Sequence, residues 1–382
     1  MRRAPAIAIW LLAAQAAVAA IDAASGPVLK PALAARGSSD AVASAFSAPR
    51  NPLEARLFAD AEGGRLRELS PLAAALVASG VETADSLRLY ERKAGDLAAA
   101  LRDALPPTAD ARQRAEAAFE FLHRRVLYGG YDLACTDLRD LLDRGRFNCI
   151  SATVLFNNLA TECGLDSRGV EMPGHAMSRL MLQDGAFDVE TTCPRWFSMS
   201  GEERSRPLAA GTAGAVVTID RTKAREVSPI QMAAMIYYNR GVDLLSQKRF
   251  AEAAAANAKA VRLDRTNATA RGNLLATLNN WSIDLGNRGQ YAEAIGLLRQ
   301  ARAIDAEFPP VAQNFVHVHR QWVDSLCQSG RFSEALSLLK RAAAEMPEQP
   351  YLRGAQADIR DRLAKAAAAA TNDVAPLAGS QR

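Results

Sequence analysis

The sequence carries little net charge and few histidines, and each shortage removes a class of function. Its 382 residues hold 46 Lys and Arg against 42 Asp and Glu, a formal charge of +4 to which Arg2 and Arg3 contribute two. The remainder is nearly balanced, so nothing predicts a nucleic-acid partner or an anionic membrane partner. Two of the four histidines, His317 and His319, lie two positions apart on a predicted helix and therefore face different ways. No cysteine or carboxylate cluster near them has metal-ligand spacing, and we expect no metal and no cofactor.

Long apolar runs are also scarce, and the one present is at the N-terminus. Arg2 and Arg3 precede an alanine-rich run at residues 6–20 that ends in small residues, the pattern of a secretory signal peptide. Residues 4–21 are almost long enough to span a membrane, but alanine is weakly hydrophobic for a permanent span. We therefore expect an exported protein, periplasmic or secreted, without a stable membrane span after cleavage. An uncleaved signal would leave a membrane-anchored form.

Cysteine is limited to five residues, an odd number that leaves at least one thiol unpaired in an oxidising compartment. Cys149 is the natural unpaired thiol if it is catalytic. Pairing among Cys135, Cys163 and Cys193 is possible, and their spacing does not decide it.

The stretch that begins at Asn148 predicts a helix with a cysteine in its first turn. Asn148 is a favoured N-cap residue and Gly164 a favoured helix stop. Apolar residues follow Cys149 at offsets of three and four, as expected of one helix face: Ala152, Leu155, Phe156, Leu159, Ala160 and Cys163. A thiol at a helix N-terminus feels the positive end of the helix dipole, which favours the nucleophilic thiolate.

A β-hairpin is predicted after this helix. Residues 167–172 are expected to be extended and to end at Pro173, and His175 opens a run that reaches Gln183. Asp184 and Gly185 form a two-residue hairpin signal, with 186–192 as the return strand.

The register of this hairpin decides which carboxylate lies near the histidine. If Gln183 faces Ala186, paired residue numbers sum to 369, so that Glu190 lies opposite Arg179 and Asp188 opposite Met181. Because side chains alternate between faces, His175, Arg179 and both carboxylates then share one face.

In this order of helix, strand and strand, residues 146–192 resemble the core of the transglutaminase-like superfamily of papain-like cysteine enzymes. The resemblance implies that Cys149 is the nucleophile, His175 the general base and acid, and Glu190 the residue that orients the imidazole. Glu190-Thr191-Thr192 stands where the family usually has Asp-Pro-Thr, and Asp188 is the alternative third member. The family's aromatic residue after the histidine is replaced by Ala176. The Pro-Gly-His element also resembles a bacterial branch in which this domain accompanies helical repeats.

The chemistry implied is attack of the Cys149 thiolate on a carboxamide or peptide carbonyl. The backbone N–H of Cys149 is one expected oxyanion donor. Asn148 or a tyrosine of the 128–131 turn is a candidate for the second.

An internal repeat occupies the C-terminal part of the chain. Phe250, Tyr291 and Phe332 are evenly spaced, since 291−250 and 332−291 are both 41. Three alanines follow them at the same spacing: Ala253, Ala294 and Ala335. Fixed periods of this size indicate a solenoid of paired helices. The repeats resemble tetratricopeptide repeats, whose usual period is 34 residues, and the extra seven would lengthen a helix by about two turns.

The predicted fold class is α+β: a helix-rich transglutaminase-like domain with a small antiparallel sheet, followed by an all-α repeat solenoid. The predicted organisation is a signal peptide at 1–20, a flexible linker at 21–52, the transglutaminase-like domain with its helical lead-in at 53–197, a connector at 198–228, three repeats at 229–350 and a helical to disordered tail at 351–382.

Two functions remain open. The first is an exported cysteine hydrolase or acyltransferase that acts on peptide or amide bonds and whose repeats recruit a protein partner or substrate. The alternative is a non-catalytic scaffold in which the transglutaminase-like domain is inactive and the repeats hold an extended peptide or another envelope protein.

Overall fold

A computed structural model describes residues 44–205, 209–210, 217–218 and 221–372. The predicted signal peptide at 1–20 and most of the predicted linker lie outside the described residues. Those residues form two compact units, 44–274 and 275–372, and each is described by itself. Within the described ranges, no helix is both long and apolar enough to cross a membrane.

Four helices precede the cysteine loop: α1 (Pro52–Ala61), α2 (Pro71–Ser79), α3 (Ala84–Ala104) and α4 (Ala111–Arg125). Each begins directly after a residue whose side-chain oxygen accepts a hydrogen bond from a first-turn N–H, namely Asn51, Ser70, Thr83 and Asp110. These four helices form the lead-in that the sequence predicted to be helical. A short 3-10 turn at Leu127–Gly129 follows the last of them.

Two further helices lead to the centre of the first unit, α5 (Leu138–Arg144) and α6 (Cys149–Glu162). Helix α6 begins at the predicted cysteine, and Gly164 follows it with a φ of +75°. All six residues of its predicted apolar face are buried. Other faces are buried as well, because α6 packs against α2, α3, α4 and α5 on several sides.

A four-stranded antiparallel sheet packs on α6. Its strands are β1 (Asp166–Met172), β2 (His175–Leu182), β3 (Gly185–Val189) and β6 (Arg225–Val227), in the order β3-β2-β1-β6. The segment between β3 and β6 contains α7 (Gly201–Ser205) and a second, two-stranded sheet of β4 (Ala209–Ala210) and β5 (Val217–Thr218). The sequence predicted a connector at 198–228, and its last strand, β6, forms the edge of the main sheet beside β1.

The predicted register of the second hairpin is wrong by two residues. Strand β2 pairs with β3 so that Arg179 lies opposite Asp188 and Leu182 opposite Gly185, and paired numbers therefore sum to 367. The physical reason is the turn: Gly185 supplies its φ of +121° directly after a corner made of Gln183 and Asp184. A shift of two residues leaves every side chain on its predicted face.

Helix pairs follow the sheet with the predicted 41-residue period. The longer helices are α8 (Pro229–Ser246), α10 (Ala268–Asn287) and α12 (Pro309–Gln328), and the shorter ones α9 (Phe250–Leu263), α11 (Tyr291–Ile304) and α13 (Phe332–Glu345). A final helix, α14, covers Pro350–Asn372. Helices α10 and α12 have 20 residues against 14 in α11 and α13, so the extra length falls in the first helix of each pair. The three alanines that share this spacing, Ala253, Ala294 and Ala335, are fully buried.

The first helix pair, α8 and α9, belongs to the same unit as the sheet. The buried carboxylate of Glu171 on β1 accepts hydrogen bonds from Tyr238 on α8 (3.0 Å), from Arg225 on β6 (2.8 Å) and from Asn267 after α9 (2.9 Å). Helix α8 also packs against α2 and α6. In the sequence this helix pair resembles the first of three equal repeats. In the structure it belongs to the unit that contains Cys149.

Candidate active site

Cys149 is the first residue of α6, as its sequence neighbours predict. The side chain of Asn148 accepts hydrogen bonds from the N–H groups of Ile150 (3.1 Å) and Ser151 (3.0 Å), and Ser151 Oγ accepts one from the N–H of Asn148 (3.0 Å). This reciprocal capping box fixes where the helix starts. Cys149 therefore sits where the helix dipole favours a negative charge.

His175 is brought beside this helix by a tight turn. Strands β1 and β2 pair from Met172 opposite His175, which leaves Pro173 and Gly174 as the two corner residues. Proline has the backbone φ that the first corner of a type II turn requires, and Gly174 takes the second with a φ of +75°. The histidine is therefore the first residue of its strand, held by backbone pairing.

His175 forms a close pair with Glu190, which directly follows β3. Its Nε2 lies 2.6 Å from Oε2 of Glu190, and both side chains are almost completely buried. The other carboxylate oxygen, Oε1, accepts hydrogen bonds from Thr192 through its N–H (3.1 Å) and its hydroxyl (2.6 Å). Since Nε2 is engaged by Glu190, Nδ1 is the ring nitrogen left for the thiol.

Burial and hydrogen bonding act in opposite directions on this pair. Burial lowers the pKa of His175, but hydrogen bonds to Cys149 and Glu190, together with the negative charge of both groups, outweigh it and raise that pKa to about 10. Burial raises the pKa of Glu190, yet the His175 and Thr192 contacts outweigh that effect and lower it. The geometry therefore favours the imidazolium that forms when His175 holds the thiol proton beside the carboxylate of Glu190.

Asp188, the alternative third member, is not part of this group. Its carboxylate accepts two hydrogen bonds from Arg179, from Nε (2.6 Å) and Nη2 (3.0 Å). Arg179 also donates to Glu226 on β6 (3.1 Å). Its guanidinium therefore links β2 to both β3 and β6. The prediction that Glu190 lies opposite Arg179 is wrong. Asp188 lies opposite Arg179 and forms the ion pair with it.

A loop before α5 lies against the residues that lead into α6. The N–H of Gly129 donates to the carbonyl of Gly145 (3.0 Å), and the N–H of Phe147 donates to the carbonyl of Gly130 (3.2 Å). Tyr131 and Phe147 then form a parallel β-bridge. These contacts place Tyr131 beside Phe147, two residues before the start of α6.

Tyr131 is the tyrosine of the 128–131 turn that reaches the thiol. Burial raises its pKa, the negative charges of Cys149 and Glu190 add to the increase, and a hydrogen bond to Cys149 adds further. The phenol is therefore kept protonated and able to donate a hydrogen bond. Tyr128, by contrast, is mostly exposed and donates to the carbonyl of Asp143 (3.3 Å). Sequence spacing alone could not separate the two tyrosines.

The amide side chain of Asn148 forms hydrogen bonds with other residues of the protein. Its Nδ2 donates to the carbonyl of Leu133 (3.1 Å) and to the hydroxyl of Thr136 (2.8 Å), while its oxygen caps α6. Both amide hydrogens therefore have acceptors, and the oxyanion role predicted for Asn148 has no side-chain donor in this arrangement. Its place is that of a helix cap that anchors residues 133–136.

The three central residues are almost closed to solvent: Cys149 is 8% exposed, His175 4% and Glu190 2%. Electrostatic interactions are stronger in such an environment than in water. Cys149 keeps the largest exposed fraction, which leaves the thiol as the group accessible to an incoming carbonyl.

Elsewhere the polar groups singled out in the sequence have ordinary contacts. All five cysteines, which lie in the described ranges, are free thiols. His319 is buried, with Nδ1 2.8 Å from the carbonyl of Phe315, while His317 is exposed. Over the residues that the structure describes, no group of three or more His, Cys, Asp or Glu side chains could hold a metal ion.

Replacing Gly145 with alanine tests the contact that places Tyr131. A Cβ at Gly145 would lie 2.5 Å from the carbonyl oxygen of Val126 and 2.9 Å from the nitrogen of Gly129, and its φ is +70°. We expect the variant to lose about 1–3 kcal/mol of stability and to weaken the Tyr131 contact with Cys149. The stability loss is measured by urea unfolding.

Gly64 is the matched control, because its φ of +74° is similar and a Cβ there would meet nothing within 4 Å. Gly64→Ala pays only the backbone cost of a left-handed conformation, on the order of 1 kcal/mol. Equal losses in the two variants would contradict the importance of the close approach at Gly145.

A helix that begins at a cysteine is followed by an antiparallel sheet that presents a histidine and a carboxylate, which is the order of elements expected from the resemblance to a transglutaminase-like domain. Residues 88–237 match the family model of the transglutaminase-like superfamily. Residues 288–359 match a tetratricopeptide repeat, a module associated with protein–protein interaction. The chain thus contains a transglutaminase-like domain followed by a tetratricopeptide repeat, the predicted architecture. No curated protein and no solved structure was found to match it.

Proposed function

We propose that this protein is an exported cysteine hydrolase or acyltransferase that acts on peptide or amide bonds through Cys149, His175 and Glu190. One observation carries the proposal: the buried imidazole of His175 lies 2.6 Å from the carboxylate of Glu190, and Cys149 adds to the increase in the pKa of that imidazole. A buried histidine between a thiol and a carboxylate is the arrangement that activates a cysteine nucleophile.

The first half of the reaction transfers an acyl group to sulfur. His175 takes the proton of Cys149, and the thiolate attacks the carbonyl carbon to form a tetrahedral intermediate. The imidazolium then gives its proton to the departing amine, the C–N bond breaks, and a thioester with Cys149 remains. Glu190 accepts the hydrogen of Nε2 throughout, so the imidazole keeps its orientation and its cation is stabilised.

The second half regenerates the thiol. His175 removes a proton from an incoming water or amine, which attacks the thioester carbonyl, and the sulfur leaves as the thiolate. Water as acceptor gives a peptidase or amidase, and an amine gives an amide-forming transferase.

The oxyanion of each tetrahedral intermediate needs two donors. The N–H of Cys149 lies at the start of α6, where first-turn N–H groups have no partner within the helix. Tyr131 is the second, because its phenol is kept protonated and Cys149 contributes to the increase in its pKa.

The repeats supply the protein-recognition part of the proposal. Residues 288–359 match a module of protein–protein interaction, and their role here is to recruit a protein partner or a peptide substrate. Export to the periplasm or beyond follows from the N-terminal sequence at residues 1–20. The same repeat favours the alternative function, a scaffold whose transglutaminase-like domain is inactive.

The pH dependence of Cys149 alkylation distinguishes these two functions without knowledge of the substrate. A free thiol has a pKa of about 8.5 and is roughly 3% ionised at pH 7. We expect Cys149 to react with iodoacetamide at pH 7 near its maximal rate, and His175→Ala to slow the reaction roughly thirtyfold, because the thiolate loses its counter-ion. The rate is read by mass spectrometry of the peptide that contains Cys149.

Cys149→Ala provides the identity control, since it removes the labelled peptide while leaving the other four cysteines. It is expected to fold with unchanged stability and to have no turnover. If Cys149 in the native chain reacts like a free thiol whether or not His175 is present, the enzyme is excluded and the scaffold function stands.

A further inference from the structure

Thr191 stands in the middle of Glu190-Thr191-Thr192, at the position where the resembled family usually has proline. Proline has neither a hydroxyl nor a backbone N–H, so this chain has polar groups at a point where the family pattern has none. The side chain of Thr191 is completely buried, and its Oγ1 lies 2.9 Å from Oγ1 of Thr153, which is also completely buried.

The position of Thr153 makes this contact a direct link between the two halves of the site. Thr153 lies four residues after Cys149 in α6, one helical turn further along and on the same side of the helix. Thr191 directly follows Glu190 at the end of β3. The two hydroxyls therefore join the helix that carries the thiol to the backbone that carries the carboxylate.

A second contact involves the next residue of the same segment, while Thr191 itself is joined to α6 by its side chain. Thr192, the next residue, gives both its N–H and its hydroxyl to Glu190.

We propose that Thr191 is a positioning residue whose hydrogen bond with Thr153 sets where Glu190 holds the imidazole relative to Cys149. The proposal rests on the proposed function, since it assumes that Cys149, His175 and Glu190 act together.

Valine, which has nearly the shape of threonine without the hydroxyl, separates positioning from simple stability. Thr153→Val or Thr191→Val alone leaves the partner hydroxyl buried without a partner, which is destabilising. The double variant removes both hydroxyls and leaves two apolar groups of matching shape, which is close to neutral for stability. If the bond only stabilised the fold, thiol reactivity would return in the double variant together with stability.

The experiment measures the pH profile of Cys149 alkylation and the melting temperature for the full chain, both single variants and the double variant. We expect both single variants to melt lower and the double variant to recover most of that loss. We expect the alkylation rate at about pH 6 to fall roughly tenfold in all three. Thr191→Ser, which keeps the hydroxyl, is expected to retain the profile of the unaltered chain.

Two results overturn the proposal, and they are distinguishable. If the unaltered chain shows fast, His175-dependent alkylation and the double variant has the same pH profile, the Thr153–Thr191 bond does not position Glu190, and the proposed function survives. If the unaltered chain itself lacks the His175-dependent rate, the proposed function fails and the positioning role fails with it. A tenfold loss in the double variant at an unchanged melting temperature supports the proposal.

Discussion

Replacing Glu190 with glutamine is expected to slow turnover by roughly 10³–10⁴-fold and Cys149 alkylation at neutral pH by roughly tenfold. The amide has nearly the shape of the carboxylate but no charge, so the imidazolium of His175 loses its stabilisation. It can also offer an N–H where Oε2 now lies 2.6 Å from Nε2, and this favours the wrong tautomer of the imidazole. Alkylation is measured first, because it needs no substrate.

Asp188→Asn is the matched control, as it makes the same chemical change two residues earlier. Asp188 lies at the same strand end and is paired with Arg179 rather than with His175. We expect its alkylation profile to be unchanged and its stability to fall by no more than about 1 kcal/mol, since the pair is partly exposed. The reverse order of effects would make Asp188 the orienting carboxylate.

The pH range over which Glu190 acts follows from the two pKa shifts. The pKa of His175 is raised from 6.5 to about 10, so its favourable interaction is complete below 6.5 and is lost as the pH rises towards 10. The pKa of Glu190 is lowered from 4.5, so its favourable interaction is complete above 4.5 and is lost as the pH falls below that value. The difference in unfolding free energy between the unaltered chain and Glu190→Gln is therefore expected to be largest at about pH 5–6. It is expected to shrink at lower and at higher pH.

Replacing Lys259 with methionine is expected to cost about 3–5 kcal/mol of unfolding free energy. Lys259 on α9 and Glu54 on α1 are both buried, and the lysine Nζ lies 2.7 Å and 2.6 Å from the two carboxylate oxygens. Tyr237 and the N–H of Arg50 also donate to Glu54, at 2.9 Å and 2.7 Å. The variant keeps a buried carboxylate and removes its counter-ion, and the loss is measured as a lower urea midpoint at unchanged slope.

Two controls separate this effect from a general loss of charge. Removing both partners, with Glu54→Gln and Lys259→Met together, leaves no uncompensated buried charge and is expected to cost much less. Arg56→Ala, on the same helix as Glu54, breaks an exposed pair with Glu68 and is expected to change stability by at most about 1 kcal/mol. A small loss in Lys259→Met alone would contradict the view that α1 and α9 form one cooperative body.

The position of this pair bears on where a partner can bind. Phe58 on α1 stacks with Tyr237 on α8 at 6.3 Å, and the guanidinium of Arg262 on α9 lies 4.4 Å from the Phe58 ring. The first helix pair thus has part of its surface occupied by the chain's own helix α1. A fragment cut at residue 229 would expose this surface and leave Lys259 without Glu54, so partner recruitment is better sought in the repeat at 288–359.

Much of the site could be predicted because it depends on short stretches of chain. Asn148 caps α6 by accepting hydrogen bonds from the N–H groups of Ile150 and Ser151, so the helix had to begin at Cys149. Pro173 and Gly174 meet the backbone requirements of a two-residue turn, so a strand had to begin at His175. The repeat period could be read in the same way, because one helix pair copies the next.

The register of the second hairpin shows where such local reasoning failed. Gly185 could take its positive φ either within the corner or directly after it, and the two choices shift the pairing by two residues. Both choices keep His175, Asp188 and Glu190 on one face, so alternation of side chains could not decide between the carboxylates.

The sequence by itself determined the order of elements, the helix start at Cys149, the strand start at His175 and the period of the repeats, since each follows from backbone preferences over a few residues. The tertiary structure alone decided that Glu190 meets His175 while Asp188 meets Arg179, that Tyr131 is half-buried beside Phe147 while Tyr128 is exposed, and that Thr191 bonds to Thr153. It also placed α8 and α9 with the sheet. These outcomes depend on partners far apart in the chain, and only the packing of whole elements brings such partners within hydrogen-bond distance.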